Sequence, residues 1–325
     1  MKGIVLSSKM DKTAVVEVSR RMPHPVYKKY VIKSKKYYAH DAENITKTGD
    51  KVIIVESKPR SKMKKWFLKE IIEKAKNLKI IGRAGAGVDN IDLLSAKEKN
   101  IIVMNTPGGN TNATAEHTLA LLLSLSRKIV KANITTHKGE WAKKKLKGNE
   151  IRGKTLGIIG FGNVGKRFAE ICYGLGLKIL IVSKYFDSIK DDFTEYISSD
   201  LNNALKNADI ISFHCKPNKD GSSIINTNEI NQMKSNAVII NTARGNLVSE
   251  IDLCDAIKNN KIAGAAIDVF DTEPATKNIL FGLENVLLTP HIAASTSEAQ
   301  IIVAEMVANQ FVDYFLKNKV NNSVI

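Results

Sequence analysis

Residues 155–165 read Thr-Leu-Gly-Ile-Ile-Gly-Phe-Gly-Asn-Val-Gly, and their interpretation settles the architecture of most of the chain. The run TLGIIG (155–160) is apolar and of strand length. Glycines at 160, 162 and 165 then break it, and an amphipathic stretch follows with Val164, Phe168, Ile171 and Leu175 predicted on one helical face. A second apolar run, KILIV (178–182), completes a strand-helix-strand unit. A lone Gly-x-Gly-x-x-Gly is weak evidence, but between a strand and a helix it reads as a dinucleotide site. Gly160 permits the tight turn, Gly162 lets a pyrophosphate approach backbone amides, and Gly165 lets helix and strand pack closely. Phe161, Asn163 and Val164 complete the turn, and the helix N-terminus faces the phosphates.

Roughly 20 residues beyond the glycines, such folds place a side chain against the adenosine ribose. Here it is Ser183 followed by Lys184, with no acid to reject a 2′-phosphate. A hydroxyl and a cation accommodate NADP; equally, Lys184 is an exposed loop lysine and the cofactor is NAD. The residues leave both readings open.

Three later apolar runs each end in a group suited to chemistry. AVIINTA leads into Arg244, IAGAAIDVF leads through Asp271 and Thr272 to Glu273, and VLLTP leads into His291. Ligands of open α/β sheets bind beyond the carboxyl ends of strands, so the three are expected to converge. Arg244 offers a planar fork for a carboxylate. His291 changes protonation near neutral pH, and Glu273 favours its imidazolium and fixes the ring. Reduction of a 2-oxo acid needs this set: a carboxylate anchor, a hydride from nicotinamide at C2, and a proton for the carbonyl oxygen. Oxidation of the 2-hydroxy acid runs the same roles backwards. Alone, each residue is as readily a surface arginine, a solvated glutamate or a loop histidine.

The rest of the chain differs in character. Residues 1–79 hold 21 Lys and Arg against 8 Asp and Glu, while the remaining 246 hold 28 against 25, so the net charge of +16 belongs to the first quarter. That quarter reads as short strands: GIVLSS, TAVVEVSRR, VYKKYVIKSKKYYAH, KVIIVESKP and WFLKEIIEK, separated by turn signals. Five strands in about 70 residues predict a small Greek-key barrel of the OB type. Lysines interleaved with Tyr27, Tyr30, Tyr37, Tyr38 and Trp66 fit phosphate and base contacts in RNA. They fit equally well a solvated lysine surface around an aromatic core. The expected fold is thus a doubly wound, Rossmann-type parallel sheet preceded by an all-β barrel.

Cys172, Cys215 and Cys254 lie far apart without a CxxC pair, which reads as neither disulfide framework nor metal site and points to a reducing cytoplasm. The start MKGIVLSSKMDK lacks the apolar run of a signal peptide, and Leu119–Leu125 is too short to span a bilayer. A soluble, non-membrane protein is expected.

Two resemblances join these readings. GIVLSSKMDKTAVVEV, HPVYKKY, KSKKYYAHD, GDKVIIVESKPRSKMKKW and LKEIIEK resemble bacterial small-subunit ribosomal protein seventeen, an RNA-binding OB barrel. That likeness implies small-subunit ribosomal RNA as a partner, a ribosome-associated location, and contacts from Lys9, Lys12, Lys28, Lys29, Lys35, Lys36, Arg60, Lys62 and Lys65. From about residue 76, AGAGVDNID, NTPGGNT, GKTLGIIGFGNVGK, NTARGNLV, AAIDVFDTEP and TPHIAAST resemble the D-isomer-specific 2-hydroxyacid dehydrogenases, most of all those acting on 3-phosphoglycerate in serine biosynthesis.

The second likeness implies NAD as cofactor and catalytic roles for Arg244, Glu273 and His291. It implies cofactor contacts from Asn163, Val164, Ser183, Cys215, Thr242, Ala243, Arg244, Asp268, His291, Ala293 and Ala294. Substrate contacts are implied for Arg83, Gly85, Ala86 and Gly87 in GRAGAG. The apolar stretch Thr114–Arg127 resembles a segment through which such enzymes dimerise, with core packing as the rival reading.

The implied domains are a barrel at 1–74, a nucleotide domain at 104–291, and a remnant substrate domain at 75–103 plus 292–325. The family's usual first 60 or so residues are replaced by the barrel, with Ile71–Leu78 supplying a helix ahead of KIIGRAGAG. No C-terminal regulatory domain is expected beyond Ile325. The remnant and the C-terminal helix are expected to lack apolar cover. Three readings follow: an oxidoreductase that binds cofactor with weak or absent turnover, a ribosomal RNA-binding protein carrying a passive dehydrogenase, or a recombined product with neither function complete.

Overall fold

The computed structural model describes residues 2–10, 13–23, 30–40, 51–53, 77–218 and 220–325. The chain divides into two units, Met1–Ser61 and Lys62–Ile325.

In the first unit β1 (Lys2–Met10), β2 (Thr13–Pro23), β3 (Tyr30–His40) and β4 (Lys51–Ile53) form a sheet ordered β3-β2-β1-β4. All three pairings are antiparallel. The β2–β3 ladder runs from Thr13 opposite His40 to Pro23 opposite Tyr30, while β1 breaks register on β2 between Val5 and Ser7 and again before Met10. Such breaks bend and twist a strand. The fifth expected strand, within residues 66–74, lies outside the described residues. So does most of the helix expected at 71–78.

The second unit is built on a parallel sheet of seven strands: β7 (Thr155–Ile159), β8 (Lys178–Val182), β9 (Ile197–Ser198), β10 (Ile210–Phe213), β11 (Val238–Asn241), β12 (Gly264–Ile267) and β13 (Val286–Leu288). Their order is β13-β12-β11-β10-β7-β8-β9, so chain progression reverses at β7, next to the glycine turn. Alternation of side chains explains why both faces are buried. Leu156, Ile158, Ile210, Ile240 and Ala266 enter one core with the helices Thr111–Ser126 and Asn163–Gly174. Ile159, Ile211, Phe213, Ile239, Ala265 and Ile267 enter the other, beneath the helices Leu201–Asn207, Thr227–Ile230 and Glu250–Lys258.

One detail departs from the sequence expectation. The helix Asn163–Gly174 buries Gly165, Phe168, Ala169 and Cys172, whereas Leu175 lies past its end and is 42% exposed. A Cβ at Gly165 would stand 2.2 Å from the Gly160 carbonyl oxygen. Phe168 is fully buried and Ile171 packs against the same core, as the sequence expects, and Gly165 lets the helix approach the turn closely; only Leu175 falls away from the expected face.

A second, two-stranded parallel sheet joins β5 (Ile80–Gly82) to β6 (Ile102–Met104) through the helix Leu93–Glu98. Its core is small: Ile91, Ala96, Ile101 and Val103, with Val324 against it. The long helix Ser297–Lys317 buries only Ala299, Val303 and Gln310, leaving Phe315 62% and Leu316 79% exposed; Leu94 is 76% exposed. The sequence expects this region to be thinly covered. Among the described residues no helix is long and apolar enough to cross a membrane.

Candidate active site

The glycine turn sits at the carboxyl end of β7. Gly160 has φ +99°, and a Cβ there would come within 2.5 Å of the His214 carbonyl oxygen, so the turn closes only on glycine. At Gly162 a Cβ would meet nothing within 4 Å. Gly162 is the N-cap of the helix Asn163–Gly174 and no side chain caps it, which leaves the first amides pointing into that open space. A diphosphate fits such a site, because uncapped amides and the positive end of the helix dipole favour anions. Phe161 contributes backbone alone to the turn: its ring is buried edge-on to Phe186, Phe193 and Tyr196.

The three chemical candidates follow neighbouring strands, Arg244 after β11, Glu273 after β12 and His291 after β13. The structure brings them together. His291 Nδ1 lies 2.7 Å from Glu273 Oε2, and Glu273 Oε1 accepts from the Phe270 amide at 3.1 Å. Burial pushes the Glu273 carboxyl up, but the hydrogen bonds from His291 and Phe270 and the charges of His291 and Arg244 prevail and hold it below the usual range. The same hydrogen bond lifts His291 above its ordinary value; burial and the Arg244 charge oppose this, while the charges of Glu273 and Asp268 assist. Each partner thus favours the charged form of the other.

His291 adopts φ +54°, a costly backbone conformation for a non-glycine residue. Asp268, fully buried at the end of β12, holds it there. The Asp268 carbonyl accepts from the His291 amide at 2.8 Å. Its carboxylate accepts from Thr289 Oγ1 at 2.6 Å and from the Ile292 and Ala293 amides at 2.9 Å each. His117 Nε2 stands 3.5 Å from the same carboxylate and 3.2 Å from Thr289 Oγ1. His117 and Thr289 escape sequence reasoning, since only tertiary folding brings residue 117 to residue 289.

Arg244 is placed by the buried Asn241, whose side chain donates to the Arg244 carbonyl at 2.7 Å and accepts from the Ala243 amide at 3.1 Å. Its guanidinium meets Asp89 Oδ2 through Nε at 3.0 Å and Nη2 at 2.9 Å. Asp89 belongs to the loop after β5, which also carries the candidate substrate residues. Gly85 donates its amide to Thr106 Oγ1 at 2.7 Å, the Ala86 carbonyl accepts from Asn105 Nδ2 at 2.7 Å, and Gly87 lies beneath the Arg244 guanidinium. Arg83 folds over Gly85 and donates to the Ala84 carbonyl, and its buried Nε has no protein partner among the described residues.

The other expected cofactor residues are distributed along the same edge. Thr242 is buried with its hydroxyl 2.8 Å from that of Thr118. Ser183 is half-buried at the end of β8, Lys184 is exposed, Ala293 is buried and Ala294 half-buried. Cys215, half-buried beside the Gly160 turn, has its thiol pushed up to about 11 by burial against an opposing backbone hydrogen bond, which disfavours the thiolate. Of the expected RNA contacts, Lys9 lies on β1 and Lys35 and Lys36 on β3, opposite Val18 and Glu17. Lys12, Lys28, Lys29, Arg60, Lys62 and Lys65 lie outside the described residues.

Comparison with known proteins meets this geometry. The family model for the NAD binding domain of D-isomer specific 2-hydroxyacid dehydrogenases matches residues 119–293, and that for ribosomal protein S17 matches residues 3–70. A D-3-phosphoglycerate dehydrogenase of Archaeoglobus fulgidus is 42% identical over 256 residues, 78% of this chain and 49% of its own length. A hydroxypyruvate reductase of Thermotoga maritima is 44% identical over 237 residues, 71% of this chain and 76% of its own. A glyoxylate reductase structure from Paecilomyes thermophila superposes with TM-score 0.72 at 31% identity, covering 79% of this chain and 78% of that one. The chain spans about half the length of the phosphoglycerate dehydrogenase it matches. With a glycine turn, a histidine-glutamate pair and an arginine on one sheet edge, the chain belongs to the D-isomer specific 2-hydroxyacid dehydrogenases.

Proposed function

We propose that this protein transfers hydride between a nicotinamide dinucleotide and a small D-2-hydroxy acid, with 3-phosphoglycerate as the favoured substrate. The observation that carries the reading is the 2.7 Å pair of His291 and Glu273, one strand away from Arg244 at the edge that bears the glycine turn. The amides at the N-terminus of the helix Asn163–Gly174 hold the diphosphate of the cofactor, and the bound nicotinamide supplies or accepts the hydride. Arg244 binds the substrate carboxylate. Glu273 engages His291 Nδ1 and leaves Nε2 to face the substrate oxygen, giving its proton in reduction and taking one in oxidation. Arg83, whose buried Nε has no partner among the described residues, is placed to receive the distal anionic group of a phosphorylated substrate.

Ser183 and Lys184 support NADP as readily as NAD. The helix Ile129–His137 and the segment after it expose Ile129, Val130, Ile134 and, at 87%, Trp141. An apolar surface of that kind supports a homodimer through the nucleotide domain, acting in the cytoplasm. Turnover is expected to be weak beside cofactor binding, because the small sheet carries so little core. Titration of the purified protein with NADH and with NADPH, followed by reduction of 3-phosphohydroxypyruvate, hydroxypyruvate and glyoxylate, tests the reading. A chain that binds neither cofactor, or that reduces a 2-oxo acid undiminished after His291→Asn, overturns it.

A second reading applies to the first unit. Its S17 match and the strand order β3-β2-β1-β4, in which β1 bonds to both β2 and β4, support an OB-type barrel that binds small-subunit ribosomal RNA. Filter binding of that RNA at increasing salt tests it. Affinity falling steeply with salt and lost on joint replacement of Lys9, Lys35 and Lys36 supports the reading; equal affinity for unrelated RNA counts against it.

A further inference from the structure

The guanidinium of an arginine presents five N–H donors in one plane. In Arg244, Nε and Nη2 both reach Asp89 Oδ2, at 3.0 and 2.9 Å, and Nη1 donates to the Ala243 carbonyl at 2.6 Å. One side of the plane is thus taken by Asp89 and the flank of Nη1 by backbone. One N–H on Nη1 and one on Nη2 remain, and a guanidinium's terminal N–H pair is spaced for two carboxylate oxygens. We propose that Asp89 is a positioning residue: by holding the Nε–Nη2 side of Arg244, it aims the terminal pair at the substrate carboxylate.

The surroundings fit a fixed brace. The loop that carries Asp89 is tied down by the Gly85–Thr106 and Asn105–Ala86 hydrogen bonds and by the turn from the Ile91 amide to the Val88 carbonyl. Gly87 gives the pair its room, since a Cβ there would lie 2.2 Å from Arg244 Nη2 and 3.0 Å from Asp89 Oδ2. Asp89 is 64% exposed and Arg244 35%, and so open an ion pair contributes little to folding. Its consequence is direction. A flexible side chain with several rotamers is reduced to one orientation before substrate arrives, which lowers the entropic cost of binding.

This inference rests on Arg244 as the carboxylate anchor, and the experiment separates the two. Oxamate, a 2-oxo acid analogue, is titrated calorimetrically into the NADH-saturated full chain, and hydroxypyruvate reduction is followed by steady-state kinetics. Asp89→Ala is expected to raise the oxamate Kd and the hydroxypyruvate KM about tenfold, the loss typical of one charge-assisted contact. It is expected to change kcat less than about twofold and to leave the NADH Kd unaltered. Asp89→Asn keeps an oxygen acceptor and recovers part of the loss, and Gly87→Ala, which pushes the guanidinium from the other side, shifts Kd the same way. Oxamate binding that is unchanged in Asp89→Ala overturns the proposal. Tighter binding also overturns it, since Asp89 would then be competing with the substrate. If wild type binds oxamate and Arg244→Gln does not, the anchor stands and a null Asp89 result counts against Asp89 alone. A wild type that binds NADH but no oxamate removes the anchor and this inference with it.

Discussion

The two parallel sheets of the second unit obey the same rules with opposite outcomes. The seven-stranded sheet sends alternate side chains into two separate cores and has helices on both faces. The β5–β6 sheet has a small core built around Ile91, Ala96, Ile101 and Val103, and the helix Ser297–Lys317 that serves it leaves Ile301, Ile302, Val312, Phe315 and Leu316 exposed. Parallel strands are stable only when both faces are covered. The difference teaches that the cofactor half of the site stands on a self-sufficient scaffold, while Arg83, Asp89 and the loop between them stand on a slender one. Cofactor binding and substrate binding are therefore expected to respond differently to perturbation.

The largest expected effect lies on the robust side. His291→Asn removes the proposed acid and is expected to lower 2-oxo acid reduction about 10^2 to 10^4-fold. The NADH Kd should stay unchanged, so a parallel loss of cofactor binding would erase the distinction between the halves. Next comes Asp268→Ala. It strips a fully buried carboxylate from the Ile292 and Ala293 amides and from Thr289, and is expected to cost about 3 kcal/mol in urea unfolding. A loss under about 1 kcal/mol would mean that the turn at His291 does not depend on its clamp.

A smaller effect concerns pH. Glu273 holds His291 above its ordinary value, so the proposed reduction, with the imidazolium as its acid, is expected to persist to a higher pH than a free histidine would allow and to decline as pH rises through the lifted value. Glu273→Gln withdraws that support and should move the decline to lower pH. An unmoved profile would assign the titration to another group. For stability the signs differ between partners: the Glu273 share is lost as pH falls through its lowered value, and the His291 share as pH rises through its raised one. The smallest effect probes the thin sheet. Leu316→Lys, at a side chain 79% exposed, is expected to change stability by less than about 0.5 kcal/mol. A larger loss would show that the face is covered in solution and would sharpen the contrast into a dependence on a covering partner.

What the sequence discloses follows how local the physics is. TLGIIGFGNVG reads correctly because turn, helix start and strand are fixed by neighbouring residues. Arg244, Glu273 and His291 are legible as residues beyond strand ends because short, nearly continuous apolar runs precede each, the pattern of strands buried on both faces. The helix face is read correctly at Phe168 and Ile171 but one residue too far at Leu175, because the helix ends at Gly174 and the next residue leaves the sheet. Phe161 lies inside the motif, yet its ring belongs to a cluster with Phe186, Phe193 and Tyr196, which are distant in sequence. Asp89 against Arg244 and His117 against Thr289 are illegible for a stronger reason. These partners stand 155 and 172 residues apart, and nothing short of the folded sheet brings them within reach.

The placement of β13 at the margin of the large sheet carries a consequence for inactivation. Among the described residues that strand bonds to β12 alone, and His291 follows it after two residues, whereas β7 and its glycine turn lie in the interior between β8 and β10. Marginal strands fray before central ones. Under mild heat or denaturant, proton delivery should vanish while dinucleotide affinity persists, and amide exchange should quicken at 286–288 well before 155–159.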